Sequence, residues 1–205
     1  MTDKKDLRER RRLATESEIE DAALDLFEQR GFESTTVDDI AARVGMSQRT
    51  FFRYFATKED AALGPNRAFE ALLTARLDGH VAGTSALRDV EEAVAAVLGE
   101  LGSGRPEVVR RMVRVRRLVM KDEALRSAAL RREAEQCERF LRLLAATTGS
   151  APLDPRARLL AETVSVTLRV AFDDWAARYE PGKESALAEA YRTTCTRLRA
   201  LVAER

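Results

Sequence analysis

Between Thr36 and Lys58 the chain reads TVDDIAARVGMSQRTFFRYFATK, two helices so short and so closely joined that they must cross steeply. Thr36 opens the first. Its hydroxyl can cap the helix while Asp39, at the third position, reaches back to the cap's own N–H. Val37, Ile40, Ala41 and Val44 fall at helical spacing, so this helix has one buried side. Gly45 supplies the left-handed residue that ends it. Ser47 then caps the next helix after only Gly45 and Met46, which predicts a helix-turn-helix.

The second of these helices, expected over residues 47–55, carries the function. At about 100° per residue, Ser47, Phe51, Tyr54 and Phe55 share the side that faces a core. Arg49 and Arg53 point the opposite way, flanked by Thr50 and Phe52, with Gln48 at the margin. From Ile40 through Lys58 there is no acidic residue, whereas Arg43, Arg49, Arg53 and Lys58 are basic. A basic helical face in isolation is most simply a solvated one. Here the turn, both caps and the acid-free run favour a helix lying in a DNA major groove, where Arg pairs bidentately with guanine and Gln with adenine. The expected DNA-contacting set is Thr36, Arg43, Ser47, Gln48, Arg49, Thr50, Phe52, Arg53, Tyr54 and Lys58, the last as a phosphate contact.

These residues carry a family resemblance. The segment from Glu18 to Ala62 resembles the N-terminal DNA-binding domain of tetracycline-repressor (TetR) family transcriptional regulators. It shares the apolar helix ending in Phe27, then Gly31-Phe32, Thr36-Val37 and Ile40-Ala41. Gly45, Met46-Ser47, Thr50, Tyr54-Phe55 and Lys58-Glu59 complete the likeness. Two positions depart from the commonest pattern: Arg49 stands where a small residue is usual, and Phe52 replaces a tyrosine, removing one hydroxyl that could meet a phosphate. The resemblance implies an all-α protein with two parts. A three-helix DNA-binding domain over residues 1–60 precedes a helical ligand-binding and dimerisation domain over 61–205.

Charge distribution agrees with a reader whose contact surface is local. The chain of 205 residues has a net charge of only +1, and residues 1–60 hold 11 Lys/Arg against 14 Asp/Glu. Glu16, Glu18, Glu20, Asp21, Asp25 and Glu28 all lie on the first helix, away from the expected groove face. That helix is read as starting at a Thr15 or Ser17 cap, with Ile19, Ala22, Ala23, Leu26 and Phe27 as its apolar stripe and Gly31 closing it. Residues 1–12, with Lys4, Lys5, Arg8, Arg10, Arg11 and Arg12, read as a disordered arm that either solubilises or touches DNA.

Beyond residue 60 every strong pattern is helical. Thr57 caps a helix that Gly64-Pro65 interrupts, and Ser85–Leu101 is amphipathic, with Gly102-Ser103-Gly104 read as the next break. Residues 107–120 combine an apolar stripe with five arginines. Arg110, Arg114 and Arg117 share an outer face and read as solvated, whereas Arg116 falls on the stripe itself. A buried arginine needs an anionic partner. That partner is either an internal carboxylate such as Asp173 or an anionic group of a ligand. A long helix to about Ala146 follows, then a polar loop and a helix begun by Asp154-Pro155. TVSVTLRVAF alternates like a strand, but Leu160, Val164, Leu168, Ala171, Phe172 and Trp175 also form a helical face, and a lone strand would have no partner. The last helix runs from Glu184 to Ala203.

One recognition helix makes too few base contacts for genomic specificity, so a homodimer on a palindromic double-stranded operator is expected, with the last two helices as its interface. The resemblance further implies a small-molecule effector in the body that releases DNA, and with it a repressor. The expected pocket lining is Arg116, Phe140, Leu144, Thr167 and Trp175. A looser likeness, to a subgroup with acyl-CoA-like ligands that includes mycofactocin-system regulators, rests on RRLVMKDEALR and FDDW and implies an apolar anionic compound. An enzyme is not expected. The chain has one histidine, His80, two isolated cysteines, Cys137 and Cys195, and no Gly-rich phosphate loop, so no metal, cofactor or nucleophile set is visible. No apolar run approaches the ~20 residues that span a bilayer and no signal peptide is evident, so a cytoplasmic location without membrane contact is expected.

Overall fold

The computed structural model describes residues 2–64, 66–77, 86–148 and 154–203, excluding the side chains of 2–6, 66–68, 86 and 143–148. His80 and the expected loops around it and around residue 150 lie outside these residues. All described elements are helices: α1 Thr2–Arg30, α2 Val37–Arg43, α3 Gln48–Phe51, α4 Lys58–Leu63 and α5 Asn66–Leu77, then α6 Ala86–Gly104, α7 Pro106–Lys121, α8 Glu123–Thr148, α9 Pro155–Arg178 and α10 Ala186–Ala203. The strand-like TVSVTLRVAF is helical within α9, because Ala161, Val164, Ala171, Phe172 and Trp175 are all buried on one side of it.

The chain forms two compact units, residues 1–65 with 118–129, and residues 66–117 with 130–205. Sequence patterning alone drew the line after residue 60 and gave no sign that 118–129 group with the first unit. In the first unit α1 packs on α2 and α4, and α2 on α3. Ile19, Leu24, Phe27, Ile40, Phe51, Phe55 and Leu125 are among its most deeply buried side chains. The edge-to-face pair Phe27–Phe32, with centroids 5.1 Å apart, closes the end of α1.

Helix α1 departs from the expected disordered arm, since it is continuous from Thr2. No Gly or Pro interrupts residues 2–30. Arg12 bonds Glu9 one turn before it and Glu16 one turn after, at 3.1 and 2.8 Å, the i,i+3 and i,i+4 pairing that supports an exposed helix. Thr15 is therefore not a cap; its hydroxyl donates to the Arg11 carbonyl.

In the second unit α10 packs on α9 and α6, with α5 also on α6. Val94, Val97, Leu98, Leu101, Leu187 and Tyr191 form the centre of one continuous core. Helix α6 runs through Gly102-Ser103-Gly104 rather than breaking there. A Cβ on Gly102 would stand 2.8 Å from the Glu184 carbonyl oxygen and the Ser185 Cα. Gly102 thus marks a close approach of two backbones, not a helix end. Cys137 and Cys195 are both buried free thiols.

Candidate nucleic-acid interface

The interface is built by two caps and one left-handed glycine. Thr36 caps α2 reciprocally: its hydroxyl accepts from the Asp39 N–H at 3.1 Å, and the Asp39 carboxylate accepts from the Thr36 N–H at 2.9 Å. These bonds hold the Asp39 carboxyl below its ordinary range, the Thr36 side chain contributing first. Gly45 sits at φ 69°, where an L side chain is strained, and turns the chain toward Ser47. The Ser47 hydroxyl accepts from the Thr50 N–H at 3.2 Å and lies 2.9 Å from the Thr50 hydroxyl.

Ser47 is exposed, which corrects its expected place on the core face. A capping side chain must turn back over the open end of its own helix instead of packing. The regular part of the reader is also shorter than expected, only Gln48–Phe51. A tighter turn continues it, with Arg53 N–H bonding the Thr50 carbonyl and Tyr54 N–H the Phe51 carbonyl.

Phe51 and Phe55 are buried and clamp this segment onto the core, their rings 5.8 Å apart. Gln48, Arg49, Phe52 and Arg53 are exposed together on the other side, with Thr50 and Tyr54 half-buried between. Arg49 and Arg53 carry no ion pair among the described residues. The Arg53 guanidinium lies 5.8 Å from the Tyr54 ring centroid, which steadies it without neutralising it. Phe52 leaves about half its surface open, at 49 %, edge-on to Phe51. Arg43 is exposed and 3.9 Å from Asp25, a loose surface pair.

Lys58 is placed differently from the expected phosphate contact. Its ammonium donates to the carbonyls of Phe32 at 2.7 Å and Thr35 at 2.9 Å, with Glu33 farther at 3.5 Å. It also stands 4.2 Å from the Phe32 ring centroid. The cation pins the α1–α2 loop to the start of α4, with its donors already committed.

A capped two-helix turn presenting arginines without ion pairs on its outer side suits a major-groove reader. Comparison with known proteins agrees. The family model "Bacterial regulatory proteins, tetR family" matches residues 19–61. The HTH-type transcriptional regulator TcmR of Streptomyces glaucescens is 35% identical over 196 residues, covering 94% of this chain and 86% of TcmR. The chain belongs to the TetR family. It is a transcriptional regulator and not an enzyme. MftR of Mycobacterium tuberculosis, named for regulating mycofactocin biosynthesis, is 30% identical over 166 residues, 81% of this chain and 82% of that one. The fold also matches FadR of Bacillus halodurans, a fatty acid degradation regulator, with a TM-score of 0.54 and 17% identity over 87% of this chain and 93% of that one.

The body of this TetR-family regulator treats its expected ligand residues unequally. Arg116 is bound on both sides: its Nε and Nη2 donate to Asp173, the latter at 2.8 Å, and its Nη1 to Glu133 at 3.0 Å. Burial opposes its charge, but the Asp173 and Glu133 bonds outweigh it and keep the guanidinium firmly protonated. The internal carboxylate is thus the partner, joined by Glu133, which sequence reading missed. Thr167 is buried and donates to the Thr163 carbonyl. Phe140 is half-buried against the core, and Trp175 stacks edge-on with Phe172 and Tyr179. The Leu144 side chain lies outside the described residues. A groove of about 310 Å³ opens between the end of α9 and the start of α10; of the expected lining only Trp175 borders it, beside Asp174, Arg178, Lys183 and Arg197. No helix among the described residues is long and apolar enough to cross a membrane.

Proposed function

We propose that this regulator is a homodimeric repressor that reads a palindromic operator through residues 47–55 and leaves it when a small molecule binds the helical body. The supporting observation is the pair Arg49 and Arg53, exposed on the outer side of the reader with no carboxylate against them. Holding two such cations in a rigid, capped segment suits bidentate contact with guanine edges, while Gln48 suits adenine. Phe52 offers an apolar edge of the kind that meets a thymine methyl, and Arg43 and Thr50, at the border of the exposed face, suit contact with backbone phosphates. Thr36, Ser47, Tyr54 and Lys58 serve the reader by shaping and bracing it.

Dimerisation is supported by an apolar stripe on the open side of α9, where Leu159, Val166 and Val170 recur at helical spacing and stay exposed, with Leu201 and Val202 exposed on α10. Such a stripe on two adjacent helices suits a four-helix bundle across a two-fold axis. The effector is proposed to be a largely apolar small molecule reaching Phe140, Thr167 and Trp175. Arg116 is already neutralised, so an acyl-CoA-like ligand would draw its anionic contacts from other cations. Release is then a coupling between two states: the ligand binds better to the geometry that cannot span both half-sites.

Selection of bound fragments from genomic DNA, followed by footprinting, tests this reading. The expected result is a two-fold symmetric site bound by two chains about a thousandfold or more tighter than random duplex. Binding of all duplexes within tenfold of one another, or by a single chain, would remove it.

A further inference from the structure

Among the described residues of the helix-turn-helix, Phe52 is the large apolar side chain left in the open, with about half its surface exposed. A single exposed apolar residue is ordinary on a protein surface and asks for no function. Its setting is what carries an inference. The Phe52 ring stands edge-on to Phe51, with centroids 5.6 Å apart and planes at 87°. Phe51 is itself fully buried and packs on Phe55 at 5.8 Å. Those two rings fill the core beneath, which leaves the third on the outer face. The edge contact also steadies it, so less side-chain freedom remains to be lost on binding.

Its neighbours on that face are polar. The Phe52 N–H bonds the Gln48 carbonyl at 3.0 Å, so Phe52 lies one helical turn beyond Gln48 and on the same side. Arg49 falls about 60° further round, at about 100° per residue, and is exposed as well. The ring is thus set between an amide and a guanidinium that suit base edges, and, lacking a hydroxyl, it offers the groove carbon alone. In the major groove the bases present hydrogen-bonding groups and one apolar substituent, the C5 methyl of thymine. Cytosine methylated at C5 carries the same methyl on the same carbon.

We propose that Phe52 is a specificity residue that packs against the C5 methyl of a pyrimidine in the operator, so that binding responds to thymine and to 5-methylcytosine alike. The proposal rests on the operator reading above. Four residues of helix rise about 6 Å, less than two base-pair steps at ~3.4 Å each, so the methyl lies within two pairs of the base that Gln48 meets. One A·T pair suits both side chains, with Gln48 on adenine and Phe52 on its thymine partner. Methylation of a cytosine at that position then changes occupancy with no change in the protein.

The test uses the full chain and a duplex that the wild-type protein has itself enriched from genomic fragments. Each thymine of one half-site is replaced in turn by deoxyuridine, which pairs alike and lacks only the methyl. One position is expected to lose about fourfold in affinity, the worth of burying one methyl-sized group. At that position 5-methylcytosine is expected to bind about fourfold tighter than cytosine, each opposite guanine. Phe52→Ala and Phe52→Ser should bring both ratios close to unity. Each ratio compares two duplexes on one protein sample, so a variant that folds less completely still reports it. Uniform affinity across the deoxyuridine series overturns the contact while leaving the operator reading intact. A ratio that persists without the ring assigns the methyl to another side chain or to duplex shape, and overturns it too. A response to the thymine methyl with none to 5-methylcytosine overturns the methyl as the group being read. Failure of the wild-type protein to enrich any duplex overturns both readings.

Discussion

Two arginine-rich helical faces, α3 and α7, look alike in sequence and are used in opposite ways. On the reader, Arg49 in α3 and Arg53 in the turn after it stand in the open, Arg53 steadied by the Tyr54 ring. On α7, Arg110 bonds Glu184 at 3.2 Å, Arg116 bonds Asp173 and Glu133, and Arg117 donates to the carbonyls of Ala176 and Tyr179 at 3.0 and 3.1 Å. Arg110 and Arg117 are exposed, as the outer-face reading expected, but their bonds also knit α7 to the end of α9 and the turn before α10. A cation's role is set by what lies across from it, and for α7 that is 17 to 74 residues away in the chain. An arginine without a carboxylate opposite is available to a partner; one that has two is a fastening.

The sharpest way to break that contrast is to remove the best-fastened arginine. Arg116→Ala leaves Asp173 and Glu133 facing each other across a partly buried gap. Loss of one member of a fully buried pair costs ~3–5 kcal/mol. Both carboxylates keep about a third of their side-chain surface open, so about 2–3 kcal/mol is expected, read as a lower urea midpoint with DNA affinity unchanged in the folded population. Wild-type stability with lost effector response would instead return Arg116 to the ligand site.

Lys58 carries the next largest effect and tests the same rule inside the reader. Its ammonium is consumed by loop carbonyls, so Lys58→Met should lower stability by about 1.5–3 kcal/mol, the range for bonds to a charged group. The salt slope of DNA binding should not change. A slope smaller by about 1 with unaltered stability would place the amine on a phosphate after all.

The reader was legible because its determinants are local. Caps at Thr36 and Ser47, the turn at Gly45 and the apolar positions of α2 can be read within a window of a few residues, and each is where the spacing put it. What escaped the sequence depends on distant atoms. Lys58 meets carbonyls 23 to 26 residues upstream, and Gly102 is needed because the turn before α10 crosses it at van der Waals range. Propensity alone read glycine as a break and lysine as a free charge. The start of α1 was missed for another reason: its support comes from i,i+4 ion pairs rather than an apolar stripe, a weaker signal than the periodicity that marks the rest of that helix.

Arg49 sharpens the comparison from the other side. Arg49→Ala should cost ~1–3 kcal/mol of binding at one base-pair position and relax preference there. Its folding stability should match wild type, since nothing among the described residues leans on the guanidinium. Equal losses on every sequence would make it a phosphate contact.

The smallest effect is a pH dependence confined to the body. Glu184 is buried before α10, accepting from the Tyr179 phenol at 2.7 Å and from Arg110 at 3.2 Å. Its carboxyl is pulled down to about 2, first by the Tyr179 bond and then by backbone N–H. A carboxyl whose folded value lies below its unfolded one stabilises fully above the unfolded value, near ~4.3, and loses that contribution as pH falls toward the folded one. Tyr179 runs the other way. Burial, then Glu184, pushes its phenol up to about 12, so its contribution is intact below ~10 and fades as pH rises through that interval. Glu184→Gln can still accept from Tyr179 but loses the charge. Its melting temperature should therefore lie below wild type at pH 7, and the two curves should converge between pH ~4.3 and about 2. Parallel curves across that window would mean that the Glu184 charge contributes nothing, and that Arg110 belongs with the open arginines of α3 rather than with the fastened ones of α7.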